Sequence, residues 1–106
     1  MKTLKFSDPL PDMISDGKKN VTWRIDDEKG IAEEDLLSLC RIDGMEFAKA
    51  KVIKVKETEF GRLTSEDKKG HEEFSSEKKM YDTFSKYYRT KVTLNTKIKV
   101  IKFELL

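Results

Sequence analysis

Residues Asn20-Val21-Thr22-Trp23-Arg24-Ile25 alternate polar and apolar side chains without a break, and this constrains the chain more than any other segment. A period of two belongs to a strand whose two faces meet different surroundings. Val21, Trp23 and Ile25 go to a core. Asn20, Thr22 and Arg24 form a row of hydrogen-bonding groups on a rigid element, a good base for a site. Just upstream, Asp8-Pro9-Leu10-Pro11 opens a short helix with Ser7 or Asp8 as its cap. Leu10, Met13 and Ile14 share one face of that helix, and Gly17 stops it.

The remaining segments follow the same short rhythm. Lys2–Phe6 alternates as a strand, and residues 26–35 form an acidic, glycine-containing connection. Leu36–Ile42 reads as a buried strand turning at Asp43-Gly44 into a partner from Met45 to Val55. The partner's apolar phase shifts between Phe47 and Val52, which calls for a bulge or strong bend. Leu63–Asp67 reads as a capped helical turn, and Gly70–Phe74 as a loop. A further helix starts at Ser75 or Ser76 and carries Met80, Tyr81, Phe84, Tyr87 and Tyr88 at helical intervals. Lys91–Leu94 and Lys97–Leu105 read as strands joined by Asn95-Thr96. Local hairpins and two or three short helices predict a mainly β fold, a small twisted barrel. The strand–helix rhythm of a parallel sheet is missing.

The 106 residues fit one domain spanning 1–106, which buries about two thirds of its extended-chain surface. Charged residues reach 40%, yet the 37% that are apolar are patterned, so the chain folds. No apolar run approaches the roughly 20 residues of a membrane span. Met1–Phe6 has no apolar signal region, so no secretion signal is expected. Cys40 has no partner cysteine and sits among leucines, which suits a buried structural thiol in a reducing cytoplasm. One Cys and one His fall short of the about four soft ligands of a zinc site, so neither a metal nor another cofactor is expected. A monomer is the simplest state.

Net charge is only +2, but the charges are segregated. Lys86, Arg89, Lys91, Lys97, Lys99 and Lys102 occur with no acid between Thr83 and Phe103. Lys49, Lys51, Lys54 and Lys56 form a second basic stretch, and Lys18, Lys19 and Arg24 a third. Such segregation favours a polyanion. Solvated strand faces that discourage edge pairing explain it equally well.

The order of these features carries a resemblance. A helix ending Ile14-Ser15-Asp16-Gly17 leads into Lys18-Lys19-Asn20-Val21-Thr22-Trp23-Arg24. A strand pair, a Gly70-His71-Glu72-Glu73 loop, a tyrosine-bearing helix and a closing Val100–Leu105 strand follow. From end to end this resembles the ASCH domains of the PUA-like barrels. Gly17, Lys19, Thr22 and Arg24 are similar to the corresponding residues of the small bacterial N4-acetylcytidine amidohydrolases. Glu34-Asp35 departs from the usual glycine-aspartate.

The resemblance implies a basic cleft for RNA or a modified nucleoside, with no membrane partner. Lys18, Lys19, Asn20, Thr22, Arg24, Lys97 and Lys99 are the binding candidates, and Lys102 extends their charge. In an enzyme of this kind, Lys19 acts as base and Thr22 as nucleophile or water-orienting group. Glu72, with Glu73 in reserve, is the acid, and Arg24 steadies the oxyanion. Strict alternation places Lys18, not Lys19, in phase with Thr22, unless the turn at Gly17 breaks the phase. His71 reads as an exposed loop residue, Trp23 as core, and Tyr81, Tyr87 and Tyr88 as packing with one facing the cleft. A protein-interaction module, its charges merely solvated, is the remaining reading.

Overall fold

The computed structural model describes residues Met1–Leu106. Five strands are present: β1 (Lys2–Phe6), β2 (Val21–Arg24), β3 (Leu36–Arg41), β4 (Glu46–Glu59) and β5 (Lys97–Leu105). The helices are α1 (Leu10–Ser15), α2 (Ser65–Lys68) and α3 (Glu77–Tyr88), with a single 3-10 turn at Phe60–Arg62. The strands form one curved sheet in the order β1-β3-β4-β5-β2. β1 runs parallel to β3, and every other pairing is antiparallel. The result is a half-barrel whose edge strands are β1 and β2.

Two apolar clusters lie on the two faces of the sheet. Leu4, Phe6, Ile14, Ile31, Leu37, Leu39, Ala50, Val52, Ile101 and Phe103 fill the hollow of the barrel. Val21, Trp23, Ile25, Val100 and Ile98 pack on the other side, under Phe60, Met80, Phe84 and Val92. Met80 and Phe84, four residues apart, present one helical face, as the sequence spacing predicts. Ser76 is the cap of α3, its Oγ accepting from the Lys79 N–H at 3.1 Å.

β4 contains two bulges. Phe47 is the extra residue opposite Leu39 and Cys40, and Ile53 the extra one between Val52 and Lys54. The second resets the phase, so Ala50, Val52 and Val55 all turn toward the inner cluster. Lys49, Lys51, Lys54 and Lys56 consequently share the opposite face. Since β4 lies between β3 and β5, these lysines do not protect an edge.

Three expectations are corrected. Lys91–Leu94 is not a strand, because side chains take its backbone donors: the Val92 N–H bonds Ser85 Oγ and the Thr93 N–H bonds Thr96 Oγ1. The α1 cap is neither Ser7 nor Asp8. Pro9 holds the cap position without a side-chain bond, and Asp8 pairs with Arg41 at 3.2 Å. His71 is buried, for reasons that belong to the site.

Candidate functional site

The site begins at the helix stop. Gly17 adopts φ +78°, which its missing Cβ permits. The Gly17 N–H bonds the Ile14 carbonyl at 3.0 Å and the Lys18 N–H bonds that of Met13 at 2.8 Å, a Schellman turn. This turn breaks the strand phase. Lys18 points to solvent, and Lys19 enters the protein with 2% of its surface exposed. Asn20 is also exposed. Its backbone bridges Gly70 and Phe103 while its amide lies over Gly70, where a Cβ would meet Asn20 Oδ1 at 1.9 Å. Asn20 is therefore a splice between segments, not a cleft residue.

The splice brings the Gly70–Phe74 loop against β2. Lys19 Nζ donates to the Val21 carbonyl at 2.7 Å and to Glu72 Oε1 at 2.5 Å. His71 Nδ1 also lies 2.9 Å from Glu72 Oε1, and its ring stacks on Trp23 with centroids 3.6 Å apart. That stack buries His71. Nothing in the local sequence signals it, because the two residues are 48 positions apart and only the β2 splice joins them. Burial by itself raises the Glu72 carboxyl, but the His71 hydrogen bond and the Lys19 ammonium outweigh it and hold the pKa at about 2. Burial pushes Lys19 below the ordinary lysine range, with Glu72 opposing and Arg24 adding to the shift. Burial likewise lowers His71, so its imidazole is neutral at pH 7. Glu73 is exposed, which distinguishes it from Glu72.

Thr22 and Arg24 project from β2 beside this pair. Arg24 Nε donates to Thr22 Oγ1 at 3.1 Å, and its Nη2 to the Lys5 carbonyl at 3.0 Å. The guanidinium also covers the Phe6 ring at 4.7 Å. Lys29 Nζ donates to the Thr3 carbonyl, so two successive carbonyls on the open edge of β1 are satisfied by cations from β2 and the loop after it. Arg24 thus closes the barrel seam where no strand pairing exists. It makes no ion pair with Asp26 or Glu28.

A cavity of about 240 Å³ opens at this seam. Thr22, Arg24, Lys19 and Glu72 form its polar wall; Phe6, Trp23, Phe84, Tyr87 and Tyr88 are the aromatic one. Tyr87 Oη and Ser7 Oγ approach to 3.3 Å across its mouth. Tyr88 Oη accepts from the Ile25 N–H, tying α3 to the end of β2. Tyr81 lies away from the cavity, edge-on to Phe60.

Of the sequence candidates, Lys19, Thr22, Arg24 and Glu72 come together here. Lys97 and Lys99 do not. They line a separate polar hollow beyond Arg24, where Lys99 Nζ bonds Asp27 Oδ2 at 2.8 Å and the Ile31 carbonyl at 3.1 Å. Burial opposes ionisation of Asp27, but Lys99 and the Ile31 and Lys29 N–H groups hold its carboxyl below the usual range. Lys99 is a clamp on the acidic connection. No helix is long and apolar enough to cross a membrane.

No protein-family model matches the sequence, and no curated protein matches it. Solved structures do. An ASCH domain from Lactobacillus crispatus JV V101 superposes with a TM-score of 0.67 at 14% identity, over 90% of this chain and 69% of that one. Protein EF3133 of Enterococcus faecalis V583, of the family DUF984, gives 0.78 at 11% identity, over 100% of this chain and 76% of that one. Hypothetical protein PH0355 gives 0.76 at 20% identity over all of both chains. At these identities the likeness is one of architecture. The chain has the fold of an ASCH domain.

Proposed function

We propose that the seam cavity binds a single nucleobase, presented by single-stranded RNA or by a free modified nucleoside. The observation that carries this reading is the composition of one small cavity. Aromatic rings on α3 and β1 face a wall of donors and an ionised carboxylate. Its volume lies below the roughly 300–1,000 Å³ of pockets for drug-sized ligands, so it suits one ring system. The aromatic side offers stacking. Glu72 Oε1 takes the Lys19 bond, and His71 Nδ1 divides between that oxygen and the Glu72 carbonyl, each at 2.9 Å, which leaves Oε2 to accept from the edge of a base. Thr22 has its hydroxyl proton to donate, because Arg24 donates to its oxygen.

The test is a titration of single-stranded RNA at two salt concentrations. Affinity falls with salt, and Arg24→Ala weakens binding at both. Binding that is absent at low salt, or indifferent to Arg24→Ala, removes the reading and leaves a protein-interaction module.

A second reading is a metal-independent amidohydrolase acting on N4-acetylcytidine-type nucleosides. It draws on the direct contact of Lys19 with Glu72 beside a threonine, where moving the shared proton from the ammonium to the carboxylate supplies an amine base and a carboxylic acid. The Arg24 bond takes one of the two lone pairs of Thr22 Oγ1 and leaves the other for attack. Release of cytidine from N4-acetylcytidine, lost in Lys19→Ala and Thr22→Ala, supports hydrolysis. No turnover at high enzyme concentration removes it.

A further inference from the structure

The polar hollow beyond Arg24 measures about 560 Å³, more than twice the base cavity, and Arg24 belongs to the walls of both. Its charges fall into two groups. Asp27 is taken by Lys99 and Glu59 by Arg62, at 2.8 and 3.6 Å. Asp26, Glu57 and Lys97 have no ion-pair partner, and Arg24 spends Nε and Nη2 on the protein while Nη1 has none. Opposite charges lining one hollow usually pair when their side chains are free to do so. Here Asp26 is fixed by a backbone at φ +50°, where Asp27 binds the Lys29 and Ile31 N–H groups on the next turn. Arg24 is fixed by the seam.

One hollow therefore offers cations for anionic oxygens together with carboxylates that accept from hydroxyls, and Thr58 adds a hydroxyl. An acidic peptide leaves the carboxylates unused and repelled, and a metal ion leaves the cations so. A sugar phosphate uses both. We infer that this hollow is a second subsite, which receives the ribose and phosphate of the nucleotide whose base occupies the seam cavity. Arg24 and Lys97 contact the phosphate, and Asp26 and Glu57 accept from the ribose hydroxyls. This rests on the base-binding reading and deepens it. The ligand is a nucleotide or a strand, not a bare nucleoside, and it is RNA rather than DNA because the 2′-hydroxyl is read.

Calorimetric or fluorescence titration tests it with the four ribonucleoside 5′-monophosphates, the matching nucleosides and 2′-deoxynucleotides, and ribose 5-phosphate. The monophosphate with the best-fitting base binds about tenfold tighter than its nucleoside, as one charge-assisted hydrogen bond provides. It binds about fivefold tighter than its deoxy counterpart. Lys97→Ala removes most of the first gain without changing the affinity of the nucleoside, and Glu57→Gln removes most of the second, weakening ribonucleotide and ribonucleoside alike while sparing the deoxynucleotide. Both residues are exposed, so the variants fold.

Nucleotides no tighter than nucleosides, Lys97→Ala weakening nucleosides equally, or Glu57→Gln weakening deoxynucleotides equally, overturn the subsite while the base cavity stands. Ribose 5-phosphate binding as tightly as the nucleotide overturns its coupling to the cavity. Failure of every probe removes the base cavity and the subsite with it.

Discussion

The two faces of the sheet are held together by different physics. The hollow of the half-barrel is filled by ten buried apolar side chains. The face under α3 is aromatic and is bordered by three of the four buried polar or charged residues, Lys19, Asp67 and His71, while the fourth, Thr22, turns to the other face of β2 at the seam. These lie on β2, at its entry or in the segment that docks on it. A buried ammonium or imidazole costs free energy unless it is fully partnered. The fold meets that requirement with a hydrogen-bonded network: Lys19 to Glu72, Glu72 to His71, Lys56 to Asp67, and Trp23 Nε1 to the Asp67 carbonyl. One face is a core that makes the domain stable. The other is a core that also positions chemistry.

Substitutions distinguish the two faces. The largest loss is expected in the inner cluster, where Leu39→Ala costs about 2–5 kcal/mol in denaturant unfolding. It leaves the shape of the pH–stability profile unchanged. In the polar-laced face, Glu72→Gln costs about 3 kcal/mol, since it strands the Lys19 ammonium in a buried place. Adding Lys19→Met to Glu72→Gln restores most of that loss in a double-mutant cycle. Equal costs for the single and double variants would show that the ion pair is not the reason.

The acid limb sharpens the same contrast. A carboxyl whose folded pKa is depressed stabilises the protein above its unfolded value and loses that contribution as pH falls through the folded value. For Glu72 the window runs from 4.5 down to about 2 and is worth roughly 3 kcal/mol. Urea unfolding at stepped pH follows that loss in the wild type, and Glu72→Gln removes this share of the acid limb while Asp27 and Asp67 keep theirs. Arg24→Lys comes next, at about 1–2 kcal/mol, because an ammonium cannot hold Thr22 Oγ1 and the Lys5 carbonyl together. The smallest effect is Ser76→Ala, about 1 kcal/mol for a lost helix cap, with ligand binding intact.

The apolar face was largely legible in the sequence, the polar one less so. Alternation of Leu37 and Leu39, the Asp43-Gly44 turn and the phase shift in β4 are local signals, and each is realised. Trp23 and Cys40 are buried as their neighbours imply. Lys19, Thr22 and Arg24 were visible as a motif. The choice of Lys19 over Lys18 depends on a Schellman turn whose hydrogen bonds reach back to Met13, beyond the reach of strand periodicity. Glu72 separates from Glu73, and His71 from solvent, only through the stack on Trp23. Lys99 looked like part of a basic footprint because its partner Asp27 lies 72 residues away in sequence. The parallel pairing of β1 with β3, and the seam that Arg24 closes, are likewise products of topology.

The most direct measurement is an amide chemical-shift titration of the protein with the nucleotide that binds best. The account predicts shifts at Thr22, Arg24, Glu72, Tyr87 and Tyr88, and a silent lysine face on β4. Shifts confined to Lys49–Lys56, with the seam unperturbed, would contradict it.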